Sequence, residues 1–161
     1  MIKEIDKNDI AECVNVIRKS FQTVADEFGF TVENAPRFTA FATTEEWLFY
    51  QLEYEHRLMA AYFSDDGKIV GYYSLQFLEN SECELNNLCV LPEFRHKKIG
   101  DVLIADAVAR AKSKNCKKMK IGIVEENKVL RRWYEAHGFI HTYTQKYDFF
   151  PFTCGYMERD L

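Results

Sequence analysis

The sequence predicts a mixed α/β (α+β) domain built on one central sheet of about seven strands, with helices on both faces. Three observations carry this. The 161 residues are 47% apolar and 15% aromatic, enough to bury one sizeable core. Apolar residues recur at helical spacing in some segments and alternate in others. Read in order, these segments give β-α-α-β-β-β-α-β-α-β-β, antiparallel hairpins first and a strand–helix–strand unit after them. The expected sheet is therefore mixed and mostly antiparallel.

Met1–Ile5 alternates as a first strand. Asp6 and Asp9 mark a helix entry, and Ile10, Cys13, Val14, Ile17, Phe21 and Val24 form one helical face. Residues 28–43 are less regular and hold Gly29, Pro36, Phe28, Phe30, Phe38 and Phe41. A second helix is expected from about Thr44 to Tyr54. Leu58–Phe63 and Lys68–Leu78 flank the turn signal Asp65-Asp66-Gly67. Glu82–Leu91 is a third strand of this group, ended by Pro92. The pattern of Leu103, Ile104, Ala107, Val108 and Ala111 predicts a helix over Ile99–Lys114. A short strand at Met119–Val124 follows. Asn127 caps a helix running to His137, and Gly138 stops it. Phe139–Tyr147 and Phe152–Met157 close the chain as strands. The whole is expected to be a single domain, residues 1–161.

Several functional classes are disfavoured at once. No stretch reaches the ~18 continuous apolar residues of a membrane span, and the N-terminus lacks a signal peptide's apolar run. A cytoplasmic, membrane-free protein is expected. The five cysteines, Cys13, Cys83, Cys89, Cys116 and Cys154, are odd in number with no C-x-x-C spacing, so neither a disulfide framework nor a zinc site is expected. His56, His96, His137 and His141 show no metal spacing either. The net charge of −4 is unevenly spread: residues 95–120 hold nine Lys/Arg against two acids, leaving −11 elsewhere. A local polyanion partner suits that segment, whereas nucleic acid would call for a wider basic field. A solvated helix face explains the lysines after residue 110 equally well.

The most informative segment is Leu88-Cys89-Val90-Leu91-Pro92-Glu93-Phe94-Arg95-His96-Lys97-Lys98-Ile99-Gly100. A buried strand ends at proline, a basic loop follows, and a helix begins near Gly100. Free N–H groups and the positive dipole end of that helix favour phosphate, with Arg95, Lys97 and Lys98 adding charge. Neither G-x-x-x-x-G-K-[ST] nor G-x-G-x-x-G is present. This is a pyrophosphate cradle of another kind.

Here the chain resembles the GNAT superfamily of acetyl-CoA-dependent N-acetyltransferases. The family's cofactor loop reads [QR]-x-x-G-x-[GA] after a strand ending V-x-P; this chain has Val90-Leu91-Pro92, then Arg95-His96-Lys97-Lys98-Ile99-Gly100, with Lys98 in place of the first glycine. A second family motif, N-x-x-[AL]-x-x-[FWL]-Y-x-x-x-G-F, is matched by Asn127, Leu130, Trp133, Tyr134, Gly138 and Phe139.

The resemblance implies a GNAT-like domain and acetyl-CoA as cosubstrate. The cofactor would be held by Leu88, Cys89, Val90, Arg95, His96, Lys97, Lys98, Ile99, Gly100, Asp101, Asn127 and Tyr134. It implies Tyr134 as the acid for the leaving thiolate and a glutamate base on the strand before the loop, Glu84 first and Glu82 as the alternative. An amine of pKa near ~10.4 needs such a base at neutral pH. Backbone N–H groups near Leu88, Cys89 and Val90 would serve the oxyanion, and a β-bulge at Asn86-Asn87 would suit them. Solvent-facing strand acids, a packed tyrosine and a helix-capping asparagine are the plainer readings of Glu84, Tyr134 and Asn127. Cys89 as a nucleophile is disfavoured against a small buried residue. The acceptor would be a primary amine on a small molecule or peptide, shaped by the aromatic stretch 28–43 with Trp47 and Tyr50. A homodimer is compatible with the resemblance. The acidic remainder of the chain favours a cationic amine, without choosing among polyamine, amino sugar, amino acid or protein N-terminus. The competing reading is a non-catalytic CoA-binding or sensing domain, suggested by Lys98.

Overall fold

A computed structural model describes all residues, 1–161. The elements are β1 (Ile2–Glu4), α1 (Ile10–Phe28), α2 (Thr39–Ala42), α3 (Glu45–Glu53), β2 (Leu58–Phe63), β3 (Ile69–Phe77), β4 (Glu82–Val90), a 3-10 turn at Pro92–Phe94, α4 (Ile99–Ser113), β5 (Lys118–Val124), α5 (Lys128–Ala136), β6 (Ile140–Lys146) and β7 (Thr153–Asp160). The expected order holds, with the one-turn helix α2 added inside the stretch expected to be irregular. There the Phe38 carbonyl accepts from Phe41 and Ala42 and closes the turn.

One seven-stranded sheet runs in the order β1-β2-β3-β4-β5-β7-β6. Every pairing is antiparallel except β4 with β5, which are parallel and joined through α4. Alternation along the strands divides the core. Met59, Ala61, Tyr72 and Cys89 face α1 and α3, with Ile17 and Leu48. Ala60, Tyr73, Leu75 and Leu85 face α4, with Leu103, Ile104, Ala107 and Tyr134. A third cluster of Phe30, Phe38, Val124 and Phe152 ties the segment after α1 to the β6–β7 hairpin.

The ends obey local chemistry. The N–H of Trp47 donates to the Thr44 hydroxyl, and that of Leu130 to the Asn127 side-chain oxygen Oδ1. α1 runs beyond Val24 because its stop is Gly29, left-handed at φ 72°, with Phe30 N–H donating to the Ala25 carbonyl. β7 extends past Met157 because Asp160 still pairs with Lys118. Gly71 admits α4 close to the sheet: a Cβ there would lie 2.9 Å from Leu103.

Candidate active site

Two features of β4 set the site. Its parallel ladder with β5 runs only from Glu82/Lys118 to Glu84/Lys120. Beyond Glu84 the strands part, leaving the β5-facing edge of β4 without a ladder partner. The register with β3 also slips: Tyr72 pairs with Cys89 but Ser74 with Asn86. Asn87 and Leu88 thus oppose Tyr73 alone, a β-bulge. Asn87 is left-handed at φ 55°, a conformation asparagine tolerates better than most residues. The bulge expected from Asn86-Asn87 is present.

The strand leads into the loop before α4. Every backbone N–H from His96 to Asp101 lacks an acceptor in the chain, and the first bond of α4 is Val102 N–H to the Lys98 carbonyl. His96 and Lys98 are left-handed, at φ 60° and 63°. Successive free N–H groups in such a winding loop form an anion nest at the positive end of a 15-residue helix. Lys98 thus takes the backbone conformation that glycine adopts without cost. Gly100 keeps the first turn open: a Cβ there would lie 3.4 Å from the Trp133 ring.

Arg95 is placed differently from the other cations of the loop. It does not join Lys97 and Lys98 beside the free donors. Its guanidinium turns inward and donates to the Val90 carbonyl, the Thr23 hydroxyl and the Ser20 carbonyl. It ties the loop to β4 and α1. Lys97 and Lys98 stay exposed, Lys97 with its ammonium over the Phe94 ring. His96 is exposed as well.

α5 covers the first turn of α4. His137 bonds Asp101 at 3.1 Å through Nε2 and the Trp133 carbonyl at 2.7 Å through Nδ1. Sequence reasoning missed this latch, because the two residues lie far apart in the chain. Tyr134 is buried, edge-on to Trp133 and Phe139. Burial, with the nearby Cys89 thiol, pushes its phenol well above the ordinary range, so it stays protonated. Its hydroxyl makes no hydrogen bond within the chain. Burial also pushes the Cys89 thiol up to about 12, only partly offset by Ser20 and Arg95. A thiol so protonated is a poor nucleophile.

The two glutamates share a face but not a state. Glu82 is bound to Lys120 at 2.6 Å. Glu84 makes no ion pair, and burial raises its carboxyl above the ordinary range despite the positive charges of Arg57 and Lys120. Of the aromatics expected near an acceptor, Phe30 and Phe38 belong to the third core cluster. Trp47 and Tyr50 stack on each other, and Tyr50 on Tyr54, along an exposed flank of α3. Two shallow hollows of about 310 and 260 Å³ lie elsewhere, around Ile10 and Phe49 and around Ile69 and Phe94. No group of His, Cys, Asp and Glu side chains could hold a metal. No helix is long and apolar enough to cross a membrane.

This geometry suits an extended phosphate-bearing thioester: an opened strand pair for its arm and an N–H nest for its pyrophosphate. Known proteins agree. The model of the acetyltransferase (GNAT) family matches residues 25–139. No curated protein matches the sequence. Among solved structures, the fold is similar to PaiA N-acetyltransferase from Thermoplasma acidophilum in complex with coenzyme A. Identity is 21% and the TM-score 0.86, covering 100% of this chain and 98% of that one. It is also similar to the ribosomal-protein-S18-alanine N-acetyltransferase of Escherichia coli, at 14% identity, TM-score 0.77, 99% and 92% coverage. A spermidine N-acetyltransferase chimera built from Vibrio cholerae SpeG and hSSAT follows, at 13% identity, TM-score 0.74, 99% and 94% coverage. With the family matched over most of its length, this chain belongs to the GNAT acetyltransferases and is an N-acetyltransferase that uses acetyl-CoA as cosubstrate.

Proposed function

We propose that the protein moves the acetyl group of acetyl-CoA directly to a primary amine of a small molecule or peptide, in a ternary complex, with Glu84 as base and Tyr134 as acid. The observation that carries this reading is the point at which β4 and β5 part. Glu84 stands at that vertex, half-buried and free of ion pairs, while Glu82 beside it is neutralised by Lys120. A base must be unpaired and have its pKa moved toward the working pH.

Coenzyme A supplies the acetyl thioester. Leu88, Cys89 and Val90 would line its arm along the unpaired edge of β4, and their backbone N–H groups beside the bulge would stabilise the oxyanion. His96 to Asp101 would take the pyrophosphate on their free N–H groups, with Lys97 and Lys98 supplying charge and Arg95 bracing the loop. Asn127 caps α5 with its side-chain oxygen and keeps its amide nitrogen for the arm. Glu84 accepts the proton of the ammonium before attack. The free amine then forms the C–N bond at the thioester carbonyl and the C–S bond breaks. Tyr134, kept neutral by burial, would give its proton to the departing thiolate and be restored by the second proton the nitrogen sheds. The protonated Cys89 favours direct transfer over a covalent acyl-enzyme. Lys98, the departure on which a binding-only reading rests, keeps a left-handed backbone, which supports an intact loop. A cytoplasmic setting accords with five cysteines left as thiols.

The test is thiol release from acetyl-CoA across a broad panel of primary amines. Release that requires both acetyl-CoA and an amine is expected. Tight CoA binding with no turnover on any amine overturns the proposal.

A further inference from the structure

The face of the sheet under α1 and α3 carries a row of polar side chains that runs through Glu84. Leu58 pairs with Leu75, so Arg57, one residue earlier, falls beside Gln76. Gln76 pairs with Glu84, and Glu84 with Lys120. Arg57 therefore lies two strands from Glu84, on the order of 10 Å backbone to backbone. The side chains are long enough for their charged ends to stand closer than that. In keeping with this, the Arg57 guanidinium acts on the Glu84 carboxyl.

The charges in this row differ in how they are satisfied. Lys120 is held by Glu82 at 2.6 Å and Lys118 by Glu158 at 3.3 Å. Arg57 donates from Nε to Glu55 at 2.5 Å, and neither Nη1 nor Nη2 makes a hydrogen bond in the chain. Its side chain is only 11% exposed. The better-exposed Arg110 and Arg131 each use Nε and Nη1, and Arg95 uses all three nitrogens. Both terminal nitrogens keep contact with solvent, so the unused half of the guanidinium is open to a ligand. The planar fork that remains matches an oxyanion bidentately.

We infer that the acceptor is a compact amine that also carries an oxyanion, a carboxylate or phosphorus oxyacid, and that Arg57 grips that group while the amine lies at Glu84. Arg57 is thus a specificity-determining residue, and the substrate class is amino-acid-like. The inference rests on the reading of Glu84 as base. It narrows the acceptor further than the chain's overall acidity does, because a recognition site acts through local charge.

Thiol release with matched acceptors tests it: α-, β- and γ-amino acids, aminoalkyl phosphonates, the carboxamides of the same amino acids, and spermidine. Carboxylate or phosphonate acceptors are expected to exceed their neutral partners in kcat/KM by roughly tenfold to a hundredfold, because the neutral partner forfeits the charge-assisted bidentate contact. Whether carboxylates or phosphonates lead identifies the oxyanion. In Arg57→Gln the acid-to-amide ratio should fall to near one, mainly through KM. That ratio is insensitive to partial loss of folded enzyme. Glu55→Gln, which leaves the guanidinium in place, should keep the preference. Amides or spermidine turned over as well as the anionic acceptors, or an acid-to-amide ratio unchanged in Arg57→Gln, would overturn the assignment of Arg57 while leaving the acetyltransferase reading intact. No turnover on any amine would overturn both.

Discussion

Replacing Glu84 by Gln isolates the base. An alkylamine of pKa near ~10.4 is free to about one part in 2,500 at pH 7, so a group that takes the proton in place contributes about 10²–10⁴ in rate. Gln keeps the shape and loses the proton acceptor. We expect kcat/KM at pH 7.5 to fall roughly a hundredfold or more, about 3 kcal/mol of transition-state stabilisation. The gap should narrow toward pH 10, where solution supplies the free amine. In the wild type, burial outweighs Arg57 and Lys120, so the acidic limb of the pH–rate profile should titrate above the ordinary 4.5 of a glutamate. Lys120→Gln removes one of the opposing charges and should move that limb to higher pH. The stability sign runs the other way from a salt-bridged acid. Because the folded pKa is raised, the contribution of Glu84 is fullest below about 4.5 and is lost as pH rises through the folded pKa. Glu84→Gln should therefore match or exceed the wild-type Tm at pH 8, and lost activity would not reflect unfolding. Stopped-flow or continuous thiol detection across pH 5–10 reads all of this. A Glu84→Gln enzyme within threefold of wild type, with its acidic limb intact, refutes the assignment.

Tyr134→Phe should lower kcat roughly 10- to 100-fold yet move Tm by only about a degree, since the hydroxyl is bonded to nothing in the chain; a calorimetric scan beside the kinetics checks both. Arg95→Ala removes three hydrogen bonds between the loop, β4 and α1 and should cost about 3 kcal/mol in chemical denaturation, with weaker CoA binding by calorimetry. Lys98→Gly should relieve a left-handed side chain worth about 1–2 kcal/mol, partly offset by the freedom glycine adds to the unfolded chain. A Tm rise of about 2 °C is expected, with CoA affinity falling a few-fold as the charge is lost.

The frame of the molecule was legible because its signals are local. Thr44, Asn127 and Gly138 each act within a few residues of themselves, and Asp65-Asp66-Gly67 turns within the hairpin it joins. The site was legible only as far as its motifs are contiguous. Glu82 and Glu84 look alike in sequence, and what separates them is Lys120, aligned by a parallel crossover that spacing cannot fix. Arg95 reads as one more cation in a basic loop, and only the tertiary approach of Ser20 and Thr23 turns it inward. Arg57 gave no signal at all, because its role depends on which strand neighbours which.

The substitution at Lys98 shows what the loop needs from its sequence. A glycine there could serve by its backbone freedom or by its lack of a side chain, and only the second would make lysine disabling. Here the chain keeps the left-handed winding at 98 and, with it, the run of free N–H groups from His96 to Asp101. Lys98 is exposed. At Gly100, in the first turn of the helix, the situation differs, because a Cβ would lie in contact with the Trp133 ring at 3.4 Å. Backbone direction is what the first position requires and small size what the second requires. A lysine can meet the first requirement for about 1–2 kcal/mol and bring a positive charge to a phosphate site, whereas at 100 a methyl group would already touch the Trp133 ring.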